Sequence, residues 1–334
     1  MTTIASSSSV PTSRERLYGL LASQGVLVAL LLLILFGAVR YDNFVGSYNV
    51  LSVLRYNSMF ALVALGMCFV IMTGGIDLSV GSVAAMASVV SAILSPHGLL
   101  PAALAGTAAG AAVGLLNGVL VTRLGILPFV ATLATMLAAS GAGLLLAGNQ
   151  SVSVSYDTAF IELGQGDLLG FPTPAWIAGV AYLLGSLVLN YTGFGRYVLA
   201  VGGGEEASRL MGLPVGRVVL LTYLLSGTLA GMAGVILASQ FGAGQPTEGV
   251  GWELFAIASV VVGGTLLTGG LGSVGATLSG VLLLGLIFNI LNFENGMGWI
   301  SLSAYWQSVI RGVFLLLVVV LQSRLTARRT GGAP

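Results

Sequence analysis

Long apolar runs separated by short polar segments dominate the chain. Charge-free stretches rich in leucine and alanine run between Arg16 and Arg40 and from Leu78 to Thr122, and a further apolar run spans Leu54 to Met72. Comparable runs follow, among them Leu254 to Phe293 and, as the last, Ala304 to Gln322. A helix needs about 20 apolar residues to cross the hydrocarbon core of a bilayer, so the shorter runs predict one crossing each and the longest predict two. The pattern predicts an all-α integral membrane protein, a polytopic bundle of about ten transmembrane helices.

Two glycine-rich segments interrupt this pattern. Residues 73–81 contain Gly74 and Gly75 and end in Ser-Val-Gly, and residues 263–275 contain Gly269 and Gly270 and end in Ser-Val-Gly again. Each segment follows one apolar run and opens the next. We expect broken or re-entrant chain at both places, because glycine-interrupted segments in corresponding positions are common around transporter pathways.

Glycine also recurs four residues apart within one apolar run, at Gly106, Gly110, Gly114 and Gly118. This spacing lines one face of a helix and lets a second helix approach closely. The close neighbour is expected within the same bundle, with a subunit-dimer face as the alternative.

Composition excludes most other classes of protein. Only 7% of the 334 residues are charged, whereas a soluble domain carries about 25%. The net charge of +1 gives no reason to expect nucleic acid as a partner. All 12 basic residues are arginine, so the chain lacks the P-loop lysine of an ATPase. Single residues, His97 and Cys68, exclude a two-histidine zinc site and a disulfide, so we expect no catalytic residue and no metal.

Arginine distribution predicts the orientation. Nine of the 12 arginines fall in loops or tails on one side of the ten-span map, and the long loop 149–173 on the other side has none. The positive-inside rule then places both termini in the cytoplasm. The predicted organisation is a flexible cytoplasmic tail at 1–16, a transmembrane domain at 17–323 and a cytoplasmic tail at 324–334.

The segment Gly74-Gly75-Ile76-Asp77-Leu78-Ser79-Val80-Gly81 is the first candidate for function. Asp77 and Ser79 can cap the following helix by accepting its free backbone N–H groups. A carboxylate at bilayer depth must face protein or water rather than lipid, so Asp77 is also a candidate pathway or gate residue. Both interpretations stay open from the sequence.

A polar loop at 193–217 is the second candidate. Gly204 precedes a short helical stretch with Glu205 and Glu206 in its first turn, and Gly212 follows as a stop. Leu210 and Met211 are apolar in this otherwise polar loop. The pattern favours an amphipathic helix that docks on a soluble partner, with a connector lying on lipid headgroups as the alternative.

Three motifs together resemble the membrane permeases of bacterial ABC sugar importers of the ribose type. They are the segment at 74–81, the run Gly212-Leu-Pro-Val-Gly-Arg217 before Tyr223-Leu-Leu-Ser-Gly-Thr-Leu-Ala-Gly-Met-Ala-Gly234, and the run from Glu253 to Thr265. They occur in the family's order, and the resemblance covers roughly residues 54–322. The last run looks most like a galactofuranose-type permease.

The resemblance implies a complex in the bacterial inner membrane. An external sugar-binding protein would dock on loops 149–173 and 240–252, two permease subunits, alike or different, would form the path, and a separate ABC ATPase would bind ATP and magnesium. This chain would then be a transport subunit rather than an enzyme, with no cofactor of its own. The implied ATPase-coupling residues are Gly204, Glu205, Glu206, Ala207, Ser208, Arg209, Leu210, Met211 and Gly212.

Six residues are candidates for lining or gating the path, because aromatic faces, amides and hydroxyls suit sugars. They are Asp77, Ser79, Asn117, Trp252, Glu253 and Phe255. Each could equally serve packing, and Glu253 could simply complement the dipole at the start of its helix.

Other functions stay open at this stage. An ion-coupled secondary transporter usually keeps ionisable residues near the membrane midplane, and here only Asp77, Glu253 and Arg311 come near a span. The same ABC permease fold could serve a small solute other than a sugar. A membrane-embedded enzyme would need a cluster of His, Cys or Lys that this sequence lacks.

Overall fold

The computed structural model describes residues 13–297 together with positions 306, 309, 310, 312, 313 and 316. Within these residues the chain is mainly helical, and each strand is two residues long. Seven helices are long and apolar enough to cross a membrane. The chain is therefore a polytopic helical membrane protein, as the apolar pattern predicts.

The α-helices are α1 Ser13–Arg40, α2 Ser47–Met72, α3 Val80–Leu94, α4 Leu99–Thr122, α5 Pro128–Leu146, α6 Glu162–Gln165, α7 Thr173–Tyr191, α8 Gly193–Gly203, α9 Glu205–Leu210, α10 Val215–Phe241, α11 Trp252–Val262 and α12 Val274–Met297. Short 3-10 helices span Ser95–His97 and Ala159–Ile161. The strands are β1 Val152–Ser153, β2 Asp167–Leu168, β3 Phe171–Pro172 and β4 Ala243–Gly244; β1 pairs antiparallel with β4, and β2 with β3.

Most predicted spans correspond to helices of the structure, and one does not. The prediction placed a full crossing directly after residue 254, but α11 has 11 residues and is about 16 Å long. It therefore covers only about half of a 30 Å core. The non-helical chain before α11 covers the remaining distance, and hydropathy gives no sign of that. The predicted tenth span, at 304–322, and the tail at 324–334 lie outside the continuously described residues.

The bundle has two ends, which we name by what lies there. The strand end carries the β1–β4 pair and the loop after α3, where Ser95 Oγ accepts a hydrogen bond from the Ser155 amide at 2.7 Å. The α9 end carries α8 and α9 and the turns that follow α2 and α11. Helix α2 runs from the strand end to the α9 end and is buried over most of its length from Asn57 to Met72, which makes it the centre of the core.

The glycine stripe on α4 packs within the bundle, as the first of the two sequence interpretations proposed. A Cβ added at Gly110 would overlap the backbone of Gly227 and Gly231 on α10, and one at Gly114 would overlap Tyr223 and Gly227. Backbones at this distance leave room for glycine alone. The crossing therefore fixes α10 against α4, which carries the candidate residue Asn117.

Candidate functional site

Helix α9 is a short exposed helix held to the bundle by one buried hydroxyl. Ser208 is 1% exposed, and its Oγ donates to the Ala200 carbonyl of α8 at 2.9 Å. Around the helix from this serine, Arg209 forms an ion pair with Glu205 at 2.6 Å, with both side chains largely exposed. The helix therefore turns one serine inward and its charges outward, and its docking on a soluble partner stays a prediction.

The end of α9 presents apolar side chains to the outside. Leu210 is 85% exposed and Met211 is 69% exposed. Gly212 follows at φ +79°, and the Leu213 and Gly212 amides donate to the Ser208 and Arg209 carbonyls, which is the Schellman arrangement. The left-handed glycine therefore stops the helix and fixes the two apolar side chains at its tip.

Three glycine-rich turns meet directly behind α9. A Cβ added at Gly202 would overlap the Met72 carbonyl oxygen and the Gly270 nitrogen, and the Gly270 amide donates to the Met72 carbonyl at 3.0 Å. A Cβ at Gly269 would lie 2.8 Å from the Gly74 nitrogen. We call this contact of residues 72–74, 202–203 and 269–270 the glycine junction. The two echoed segments of the sequence thus converge on the helix pair that carries α9.

A buried polar network lies next to the glycine junction. Asp77 is fully buried; its Oδ1 accepts from the Ser79 amide at 3.0 Å and the Ser79 hydroxyl at 2.6 Å, and its Oδ2 accepts from the Ser226 hydroxyl at 2.8 Å. Asn117 Nδ2 donates to Ser79 Oγ at 2.9 Å, and Thr135 Oγ1 donates to Asn117 Oδ1 at 2.6 Å. One carboxylate therefore links the start of α3 to α4, α5 and α10.

The predicted capping role is wrong for Ser79 and holds only locally for Asp77. Ser79 stands at the N-cap of α3 but makes no side-chain cap hydrogen bond; its Oγ accepts from Asn117 Nδ2 and donates to Asp77 instead. Asp77 accepts the Ser79 amide, two residues ahead of it. The carboxylate is used mainly for joining helices that are far apart in sequence.

Trp252 and Phe255 belong to a second, separate cluster. Their rings pack on Phe60 of α2 with centroid distances of 4.8 and 4.5 Å, and both side chains are less than a tenth exposed. Among the described residues, these contacts favour a packing role for Trp252 and Phe255. Glu253 is only half-buried, and a Cβ added at Gly81 would lie 3.0 Å from its Oε2.

Three of the six candidate path residues lie together in the structure, since Asp77, Ser79 and Asn117 form one network. Ser226 and Thr135 complete that network and were not among the candidates predicted from the sequence. Ser226 lies inside the Tyr-x-x-Ser-Gly motif, which gave a signal, whereas Thr135 stands in an ordinary apolar run. Within residues 13–297 and the few described positions beyond, no group of three His, Cys, Asp or Glu side chains could hold a metal ion.

Comparison of the amino-acid sequence with known proteins identifies the family of the chain. Residues 49–319 match the model of the family described as branched-chain amino acid transport system / permease component. The chain is 38% identical over 309 residues to the ribose import permease protein RbsC of Escherichia coli K12, covering 91% of this chain and 94% of that one. It is 36% identical to RbsC of Bacillus subtilis over 321 residues, covering 95% and 98%. Identity is also 36% to the L-arabinose transport system permease protein AraH of E. coli K12, covering 92% of each chain. No solved structure matches the chain.

Proposed function

Because the chain belongs to the family of branched-chain amino acid transport system permease components, we propose that it forms the translocation path of an ATP-driven importer for a monosaccharide. It is an ABC transporter permease subunit of the inner membrane and is not itself an enzyme. A permease of this kind carries no cofactor, so ATP and magnesium belong to a partner ATPase. The family implies that ATPase and a binding protein as partners.

The nature of the transported solute rests on the relatives. The family description mentions branched-chain amino acids, but the relatives reported above are named for ribose and L-arabinose and match more than nine-tenths of this chain. These names support a ribose-like sugar over an amino acid or another small solute. Galactofuranose, which the run from Glu253 to Thr265 suggests, is the more specific candidate.

The exposed tip of α9 is the observation that carries the coupling role. Leu210 and Met211 lie in water on a helix that otherwise presents charge, and burying such side chains on a partner is favourable. Behind them the glycine junction connects α8 to both broken segments. An ATPase that binds residues 204–212 would therefore move both broken segments of the transmembrane domain together.

The strand end is the proposed docking face for the sugar-binding protein. It carries the loop 149–173 and the start of the segment 240–252, tied to each other by the β1–β4 pair. The ion pair of Arg55 with Asp167 at 2.6 Å fixes part of this loop on α2. With the positive-inside orientation this end faces outside and α9 faces the cytoplasm. A second permease subunit, identical or different, would complete the path within the lipid bilayer.

Purification of the tagged chain from its native membrane in mild detergent, followed by mass spectrometry, tests the assembly. The expected companions are an ATPase with P-loop motifs and a sugar-binding protein. The complex is then reconstituted in liposomes, and uptake of radiolabelled ribose and L-arabinose is measured with and without ATP on the α9 side.

The expected result is uptake that needs ATP and survives a protonophore. Uptake by the isolated chain without ATP that collapses with the proton gradient would refute the ABC mechanism and support the ion-coupled alternative. ATP-dependent uptake of an amino acid or another solute that is not a sugar, with neither sugar carried, would refute the sugar assignment alone.

A further inference from the structure

The chain between α10 and α11 is non-helical, with the two-residue strand β4 followed by turns from Pro246 to Gly251, and it enters the bundle beside α3. It leaves the strand end at β4, where a Cβ added at Gly244 would lie 2.7 Å from the Val89 Cα and the Ser88 carbonyl oxygen. The Gln245 amide donates to Ser88 Oγ at 3.0 Å. Four residues after Gln245, the backbones of Gly249 and Gly81 are so close that a Cβ on either would overlap the carbonyl of the other. This segment therefore descends along α3 from its last turns to its first.

The depth of the segment follows from the lengths of its neighbours. Gly81 lies thirteen residues before Leu94, the end of α3 at the strand end, which is about 20 Å at the helical rise. On the other side, Asn117 is level with Ser79 and lies five residues before Thr122, the end of α4 at the α9 end, which is about 8 Å. Residues 248–250 therefore lie well inside a core of about 30 Å.

Polar side chains are exposed at this depth. Thr247 and Glu248 are exposed, and Val250 is 90% exposed, although the backbone of Gly249 between them is buried against α3. A carboxylate inside the membrane faces protein or a water-filled cavity rather than lipid. Non-helical backbone at membrane depth obeys the same rule, because its N–H and C=O groups need partners that lipid does not supply. The surface formed by residues 247–250 is therefore not a lipid-facing one.

The shape of the loop points Val250 outward. Gly249 and Gly251 have φ values of +86° and +84°, in the left-handed region that favours glycine, and they bracket Val250. The amides of Trp252 and Phe255 donate to the Gly249 and Gly251 carbonyls at 3.1 and 3.0 Å, which ties the loop to α11. The loop is thus clamped between α3 and α11, and its tip carries one apolar side chain next to one carboxylate.

We propose that residues 247–250 form the wall of the translocation path, with Val250 at its constriction and Thr247 and Glu248 offering hydrogen bonds to the hydroxyl groups of a passing sugar. This inference rests on the proposed function for the nature of the solute and on the depth and exposure of the segment for its place. An apolar side chain at a constriction blocks ions and water, while the neighbouring carboxylate and hydroxyl provide weak, exchangeable contacts for a polyol. Trp252 and Phe255 then serve as the packed support of the wall.

Cysteine accessibility in the assembled transporter tests this placement. Thr247→Cys, Glu248→Cys and Val250→Cys are made one at a time, and the complex in vesicles is treated with a charged, water-soluble methanethiosulfonate reagent, with and without nucleotide. The native Cys68 is fully buried, so the unmodified chain serves as the blank. Leu137→Cys and Leu183→Cys are matched controls, because both leucines are exposed near the middle of α5 and α7.

The expected result is labelling of residues 247, 248 and 250 in at least one nucleotide state, and none of the two controls. Labelling of Val250→Cys should also abolish ribose or arabinose uptake. Three results would overturn the proposal: reaction with a lipid-soluble maleimide alone, disulfide crosslinking between two permease copies without labelling by the charged reagent, and labelling of the controls to the same extent.

The failure of this inference can be separated from a failure of the proposed function. ATP-dependent uptake by the unmodified chain, measured in the same vesicles, tests the importer independently of the cysteines. If one cysteine variant does not assemble, the other two still report on the same wall, since 247 and 250 lie on either side of 248. If an added sugar slows the reaction of Glu248→Cys with the charged reagent, this protection supports direct contact between residue 248 and the solute.

Discussion

Gly202 offers the sharpest test of how α9 is connected to the membrane helices. It lies in α8, and a Cβ at this position would overlap the Met72 carbonyl oxygen and the Gly270 nitrogen. Gly203, the next residue of the same helix, has no atom within 4 Å of the corresponding Cβ position. Gly202→Ala and Gly203→Ala therefore differ in one respect, the overlap at the glycine junction.

The magnitude follows from two opposing contributions. Replacing glycine by alanine in a helix favours folding by about 1 kcal/mol, and both variants gain this. Overpacking of a closely packed interior costs about 1–3 kcal/mol, and Gly202→Ala alone bears it. We expect Gly202→Ala to be less stable than Gly203→Ala by about 1–3 kcal/mol, since the backbone of the junction must separate to admit the methyl group.

Function should follow the same division. The thermal unfolding of the two variants is compared in the same detergent, and ATP-driven sugar uptake is compared in liposomes at equal protein content. We expect Gly203→Ala to retain uptake and Gly202→Ala to lose most of it while still hydrolysing ATP, because α8 no longer rests on both broken segments. Equal stability and equal uptake in the two variants would refute the junction as the mechanical connection.

Three further outcomes follow from the described contacts. Leu210→Glu should leave thermal stability unchanged, since the side chain is 85% exposed, but should release the ATPase in a pull-down. Asp77→Ala should lower the free energy of unfolding by about 1–3 kcal/mol for each hydroxyl left without its acceptor, and Asp77→Asn by less, as measured by thermal unfolding. Gly110→Leu should prevent α4 from packing on α10 and reduce the yield of folded protein on gel filtration, whereas Gly141→Leu, with open space around its Cβ position, should not.

The broad architecture was predictable because it depends on composition along short windows. Apolar runs predicted the crossings, and paired glycines predicted the breaks after α2 and α11. The half-length of α11 was not predictable, because the apolar run that contains most of Trp252–Val262 continues without a charge as far as Phe293, and the polar segment before it looks like an ordinary loop. Hydropathy records where a residue prefers to be and not whether its backbone is helical.

Three members of the buried network were predictable from the sequence, but their joining of distant helices was not. Asp77 attracted attention as a rare charge, and it is indeed fully buried. Its partner Ser226 is 149 residues away, and pairing over such a separation leaves no periodic signal in a single sequence. The exposed Glu248 was overlooked for the opposite reason, because a carboxylate in a polar segment looks like an ordinary loop residue until the depth of that segment is known.

The two echoed segments acquire a common meaning because they meet each other and α8 at the glycine junction. One turn opens α3, whose first residues touch the proposed wall at Gly249, and the other follows α11, which supports that wall at Trp252. Both turns meet at Gly202, so a displacement of α9 reaches the wall from two directions at once. A movement that tilted α3 away from α11 would separate Gly81 from Gly249 and shift Val250 with them. Such a movement has to carry α4, α5 and α10 with it at the start of α3, because the hydrogen bonds of Asp77, Ser79 and Asn117 link all three helices to that point.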